Sequence, residues 1–173
     1  MRLFIDRLAT PIGEILLVSD GEGHLRGLDW SDHEARLTRL LRLNYRPFAP
    51  EAGAAPAATR RALAAYFGGD LQRLAAIPWR TLGTPFQQAL WAALATIPPG
   101  QTLSYAALAA RLGSPQAIRA AGAANGANPI SLVLPCHRVI GSDGSLTGYG
   151  GGLDRKRWLL RHEGAAFREA GPA

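Results

Sequence analysis

The chain has 173 residues, 47% of them hydrophobic, and a formal net charge of +6 from 19 basic and 13 acidic residues. That length buries one core of ordinary size or two small ones sharing an interface, and the composition is that of a soluble globular protein. No apolar run approaches the length of a membrane span, Met1 to Thr10 carries charges where a signal peptide would be apolar, and the single cysteine excludes an internal disulfide and a Cys-rich zinc site, so a cytoplasmic protein with no membrane contact is expected.

Taken in order, the first part reads as a small α/β unit. Arg2 to Arg7 and Glu14 to Ser19 alternate around a Thr10-Pro11-Ile12-Gly13 turn. Leu25 to Trp30 follows a second turn, Asp20-Gly21-Glu22-Gly23, and completes a three-stranded meander. Ser31 with Glu34 forms the pattern of a capping box, predicting a helix to about Leu43. Pro47 to Pro56 reads as loop, Thr59 to Phe67 as a second helix stopped by Gly68-Gly69, and residues 70 to 83, without periodicity, as a linker. The division expected is therefore 1–83 and 84–173.

The second part is more helical. Thr84-Pro85-Phe86-Gln87 supplies a cap, a first-turn proline and a capping-box glutamine before an apolar helix to Ala95. Ser104 caps a short helix to Leu112, and another runs from Gln116 to about Asn125 after Gly113-Ser114-Pro115. Two short helices joined by a tight turn outline a helix-turn-helix. The second, QAIRAAGAANG, has small residues and one long side chain, Arg119, where base-edge reading calls for several polar ones. A cysteine strand, a glycine-rich loop at Thr147 to Gly152 and a last helix from Leu153 to His162 follow.

Charge is distributed unevenly. Between Asp70 and Asp143 there is no acidic residue, while Arg73, Arg80, Arg111, Arg119 and Arg138 lie in that interval. Such a field suits a polyanion such as the phosphate backbone of a nucleic acid; the compositional reading is that a chain with 18 Arg and one Lys simply favours arginine.

Chemistry concentrates at Pro135-Cys136-His137-Arg138. An isolated cysteine is most often a small buried hydrophobe, but this one has an imidazole beside it and interrupts an apolar run, ISLVLPCHRVI. An unperturbed thiol is only a few per cent thiolate at neutral pH, so a base is needed. In a regular strand, consecutive side chains point to opposite faces, which calls for a kink at Pro135 or a bridging water between Cys136 and His137. Glu163, closing the last helix, is a candidate to orient the imidazole. The glycine-rich loop lacks the Walker and Rossmann patterns and suits close backbone approach to a flat ligand.

With these parts in order, the chain resembles the O6-alkylguanine-DNA alkyltransferases, also called methylated-DNA-protein-cysteine methyltransferases. The segment NPISLVLPCHRVIGSDGSLTGYGGGLDRKRWLLRHEG carries the match, PCHR with Gly-Tyr-Gly-Gly-Gly and His-Glu-Gly being its most specific combination, and the similarity extends upstream through TPFQQALWAALATIPPGQTLSYAALA. The resemblance implies an α+β protein: a small ribonuclease H-like N-terminal domain, then a mainly helical, winged-helix-like domain. It implies irreversible, single-turnover transfer of an alkyl group from O6-alkylguanine, and from O4-alkylthymine, in double-stranded DNA to Cys136. His137 would act as base through a water, oriented by Glu163. Tyr105 would donate to guanine N3, and Asn128 would brace the turn before the cysteine.

The resemblance further implies docking in the minor groove by a monomer through Ser104, Tyr105, Arg119, Ala120, Ala121 and Gly122, with Arg119 filling the gap left by a flipped nucleotide. Backbone groups of Cys136 and Val139 would meet the exocyclic amine, and those of Tyr149 and Gly150 the alkylated oxygen. No cofactor is implied. Some relatives carry an N-terminal zinc site, but only His24 and His33 stand in that region here, so no metal is expected. Ser131 and Gly150 stand where some relatives have Pro and Ser, which leaves the accepted alkyl size open. Three alternatives differ in chemistry. A Cys-His hydrolase would turn over, an alkyltransferase-like binding module would lack Cys136, and a winged-helix regulator would leave PCHR and the glycine loop unexplained.

Overall fold

The computed structural model describes residues 1–169. The chain forms two compact units, Met1–Gly83 with Pro129–Val133, and Thr84–Asn128 with the chain from Leu134 onward. A cut at residue 83 therefore leaves out one exchange: five residues just before the cysteine pack with the first unit.

In the first unit, strands β1 (Leu3–Thr10), β2 (Gly13–Asp20) and β3 (Leu25–Trp30) form the antiparallel meander, and a two-residue strand, β4 (Glu51–Ala52), pairs parallel with β1 in the order β3-β2-β1-β4. Helix α1 (Glu34–Arg42) buries Leu37 and Leu41 against Leu3, Leu16 and Val18. Gly27 permits this approach, since a Cβ there would lie 2.9 Å from Leu41 Cδ1. Helix α2 (Ala57–Phe67) buries Thr59, Ala62, Leu63 and Tyr66.

Two expectations are corrected here. The Ser31/Glu34 capping box does not form: Ser31–His33 is a 3-10 turn, α1 starts without a side-chain cap, and Glu34 faces Arg7 at 3.7 Å instead of reaching back. Residues 70–83 are not a slack linker. Leu71–Ala76 is a 3-10 turn, and Leu25 then donates to Pro78 O (2.9 Å) and accepts from Arg80 (3.1 Å). Farther along β3, Leu28 pairs with Ile130 in the same way, donating to Pro129 O and accepting from Ser131. Both segments cover an edge that would otherwise expose unpaired backbone groups. Leu132, buried within the second of them, takes φ of 74°, a conformation that strains a residue with a side chain.

In the second unit, α3 (Pro85–Leu94) starts from Thr84 with the complete capping box: Thr84 Oγ1 accepts from Gln87 N, and Gln87 Oε1 accepts from Thr84 N. Trp91 Nε1 donates to Ala124 O (2.9 Å), joining α3 to α5 (Ile118–Gly126). Helix α4 (Tyr105–Arg111), capped by Ser104 Oγ, packs on α5 to complete the helix pair. A parallel pair, β5 (Leu103–Ser104) and β6 (Val139–Ile140), brings the start of α4 alongside the residues after the cysteine. Helix α6 (Leu153–His162) places Lys156, Leu159 and Leu160 on its buried face. The chain after it returns to pack Ala165 and Phe167 on Ile140, Leu146 and Leu160. Among the described residues, no helix is long and apolar enough to cross a membrane.

Candidate active site

Cys136, His137 and Arg138 form a single 3-10 turn, not the strand expected from the apolar run. The turn begins where Cys136 N donates to Leu134 O (2.7 Å), and Pro135 O accepts from Arg138 N (2.9 Å). At about three residues per turn, neighbouring side chains diverge by roughly 120° instead of 180°, so Pro135 supplies the kink the chemistry called for. Asn128 Nδ2 donates to Leu134 O (2.7 Å), tying together the two ends of the chain that bracket Pro129–Val133. Cys136 is 5% exposed and His137 fully buried.

The imidazole is fixed from one side. Its Nε2 lies 2.8 Å from Glu163 Oε2, and Glu163 is held in turn by Arg138, whose Nε and Nη2 donate to the two carboxylate oxygens at 2.8 Å each. The remaining Arg138 nitrogen, Nη1, donates to Ile97 O, three residues beyond α3 (2.5 Å). Burial works to raise the Glu163 carboxyl, but His137 and the Arg138 guanidinium together hold it far below the usual carboxylate range. Burial holds His137 below its ordinary value, with Glu163 offsetting only part of that effect. A neutral imidazole beside an ionised carboxylate carries its proton on Nε2 and donates it to Glu163. Nδ1, which makes no hydrogen bond within the described protein, is then the free acceptor. Such an acceptor can take up a thiol proton, directly or through a water.

Two residues reached this site without being foreseen. Lys156 is fully buried and pairs with no carboxylate among the described residues; its Nζ donates to Val139 O (2.6 Å) and Thr147 O (3.1 Å). Burial lowers it to about 8, and an ionised Cys136 acts in the opposite direction. Arg138, one of the five arginines of the acid-free interval, is instead buried as the counter-ion of Glu163. A signal for Lys156 was present: residues 156, 159, 160 and 163 follow the spacing of a buried helical stripe, and the one lysine stands in it.

The other candidates fall as follows. Tyr105 is the first residue of α4, half-buried, with its hydroxyl 3.0 Å from Thr147 Oγ1 and its ring beside Gly122 of α5. Arg119 and Ala120 are exposed on α5, whereas Ala121 is fully buried, so its side chain belongs to the packing of the helix pair and not to an outer surface. Val139 is buried in β6, and the Tyr149 ring stands edge-on to His137 at 6.4 Å. Gly150 lies inside the turn closed by Gly152 N donating to Tyr149 O (2.9 Å). Ser131 sits in the five residues that pack with the first unit. Among the described residues, no three His, Cys, Asp or Glu side chains cluster as metal ligands.

Residues 85–165 match the family model described as the DNA binding domain of 6-O-methylguanine DNA methyltransferase. Over 95% of its length the chain is 49% identical to a methylated-DNA-protein-cysteine methyltransferase of Salmonella typhimurium, covering 97% of that protein. The chain belongs to the methylated-DNA-protein-cysteine methyltransferase family. The family resemblance read from PCHR and the glycine loop is thus borne out. Its fold also matches the crystal structure of the Mycobacterium tuberculosis O6-methylguanine methyltransferase, at 40% identity and a TM-score of 0.73 over 94% of this chain and 93% of that one. A Mycobacterium tuberculosis OGT in complex with DNA gives a TM-score of 0.77 at 37% identity, over 95% and 93% of the two chains. The α+β class expected from the sequence is that of these structures.

Proposed function

We propose that this methyltransferase-family chain repairs double-stranded DNA by direct reversal, moving an alkyl group from O6 of guanine, and from O4 of thymine, onto Cys136. The observation that carries this reading is the half-satisfied imidazole: Nε2 committed to Glu163, Nδ1 left as acceptor, one residue from the only thiol. The Cys136 proton passes through a bridging water to Nδ1, and Glu163 stabilises the imidazolium that forms. The Sγ–C bond forms as the C–O6 bond breaks, and the electron pair goes to the purine. Tyr105 stabilises that charge by donating a hydrogen bond to N3. The base takes its ring proton from solvent while the imidazolium returns one, so protons balance. The thioether has no leaving group worth displacing, and the chain stops after one event.

The DNA surface in this reading is the α4–α5 pair, entering the minor groove with Arg119 occupying the space of the flipped nucleotide. Small residues on α5 suit a protein that searches for lesions without reading sequence. We assign it as a monomer, acting in the cytoplasm, without metal or cofactor. Labelled-alkyl transfer from O6-methylguanine duplex to known amounts of protein tests the chemistry. One alkyl group per chain is expected, none in Cys136→Ala; continued turnover would instead identify a hydrolase.

A further inference from the structure

Tyr105 does not stand alone in the second unit. Its hydroxyl meets Thr147 Oγ1 at 3.0 Å, where Thr147 opens the glycine-rich loop. Both partners have fixed neighbours. The Tyr105 ring lies beside Gly122, 3.9 Å from where a Cβ would stand, and Ser104 caps the helix that Tyr105 begins. Thr147 is anchored through its main chain, its carbonyl accepting from Lys156 Nζ (3.1 Å), while the same ammonium donates to Val139 O (2.6 Å). Threonine is branched at Cβ and stiff at χ1, so an anchored backbone also aims the hydroxyl.

Hydroxyl arithmetic decides what this contact does. A phenol has one proton and two acceptor lone pairs, and so does an alcohol in its single O–H. If Tyr105 spends its proton on Thr147, nothing is left for an incoming base. With the opposite polarity, Thr147 donates to Tyr105 Oη and the phenol proton stays available. Hydrogen bonds in such a chain polarise one another, so a phenol that accepts one also donates more strongly. We infer that Thr147 is a positioning residue for the leaving base: it donates to Tyr105 Oη, directs the phenol proton to N3 of the flipped guanine, and strengthens that bond as charge develops on the purine. No proton leaves Thr147; bond making and breaking are those given above. The inference rests on the reading of Tyr105 as the N3 donor.

The test separates the two. Single-turnover rates at saturating DNA would be measured for wild type, Thr147→Val, Thr147→Ser, Tyr105→Phe and the Thr147→Val/Tyr105→Phe double variant. Each would meet duplexes carrying O6-methylguanine or its 3-deaza analogue, which has no N3 acceptor. Thr147→Val should slow the natural base about threefold to tenfold, the range of one hydrogen bond, and leave the 3-deaza rate nearly unchanged. Thr147→Ser should recover much of the loss, and the double variant should be no slower than Tyr105→Phe. Equal losses on both bases, or losses that multiply in the double variant, would reduce Thr147 to a structural residue and overturn the inference. If Tyr105→Phe itself slows both bases equally, the N3 reading fails and the inference with it. Should Thr147→Val not fold, Thr147→Ala compared with Thr147→Ser makes the same distinction.

Discussion

Replacing Lys156 by methionine should leave a protein whose stability, relative to wild type, depends on pH in one direction only. Lys156 titrates near 10.5 in an unfolded chain and at about 8 in the fold, mainly because it is buried. Between those values the unfolded state binds the extra proton, so wild-type stability from this group rises with pH and is lowest below about 8. At about 1.4 kcal/mol per pH unit, the interval corresponds to on the order of 3 kcal/mol. Lys156→Met removes that dependence together with the hydrogen bonds to Val139 O and Thr147 O, each worth roughly 1 kcal/mol or somewhat more. The variant should therefore be about as stable as wild type, or slightly more so, at pH 7, and progressively less stable by comparison toward pH 10. Urea unfolding of both proteins at intervals from pH 7 to 10 checks this. Cys136→Ala in both backgrounds removes the thiol whose charge raises Lys156, after which the lysine should titrate lower still. A stability difference that stays flat across that range would show that the ammonium is not desolvated as the geometry requires.

Arg119→Ala should slow reaction with alkylated duplex far more than with free O6-methylguanine, since only the duplex needs a flipped state held open; equal losses in a competition assay would make Arg119 structural. His137 and Glu163 are both held below their ordinary values, so their stabilising contributions are fully present above about 6.5 for the histidine and about 4.5 for the carboxylate, and are lost as pH falls from those values through the lower folded ones. Glu163→Gln should shrink the lower step, which Asp6 and Asp20 share, and an acid-unfolding profile unchanged by the substitution would contradict this. Gly100→Ala should cost about 1–3 kcal/mol, because φ there is 87° and a Cβ would press on Glu163 O at 3.2 Å; an unaltered melting temperature refutes the strain. Gly150→Ser should narrow the range of alkyl groups accepted, seen as a steeper fall in rate from methyl to butyl adducts than in wild type.

What the sequence disclosed follows the physics of each element. The meander, Thr84 with its capping box and the last helix were legible because alternation, caps and helical spacing are local signals carried by adjacent residues. The same motif misled at Ser31, where a competing partner for Glu34 at Arg7 lies 27 positions away in sequence. Residues 70–83 showed no periodicity because they hold only a short 3-10 turn and a single bridge at Trp79, each too short to leave a pattern. Cys136, His137 and Glu163 were readable as types of chemistry; that Arg138 is the carboxylate's partner was not, since nothing local tells an exposed arginine from a buried one. The Tyr105–Thr147 contact spans 42 positions and had no signature at all.

The buried charges explain one another when taken as a set. A lone carboxylate at Glu163 would be too costly to bury, and Arg138 makes it tolerable by a two-pronged contact that also fixes where its oxygens point. Only an ionised, immobile Glu163 can dictate the tautomer of His137, and only that tautomer presents Nδ1 as a base. Lys156 completes the set as a buried positive charge that costs the fold stability, a cost that an ionised Cys136 reduces. The fold therefore disfavours the charge on Lys156 in the resting thiol state and disfavours it less once the thiolate forms. That difference is where binding energy becomes reactivity: groups already aimed need no reorganisation when charge moves, and a protein that acts once per chain has only one event in which to use them.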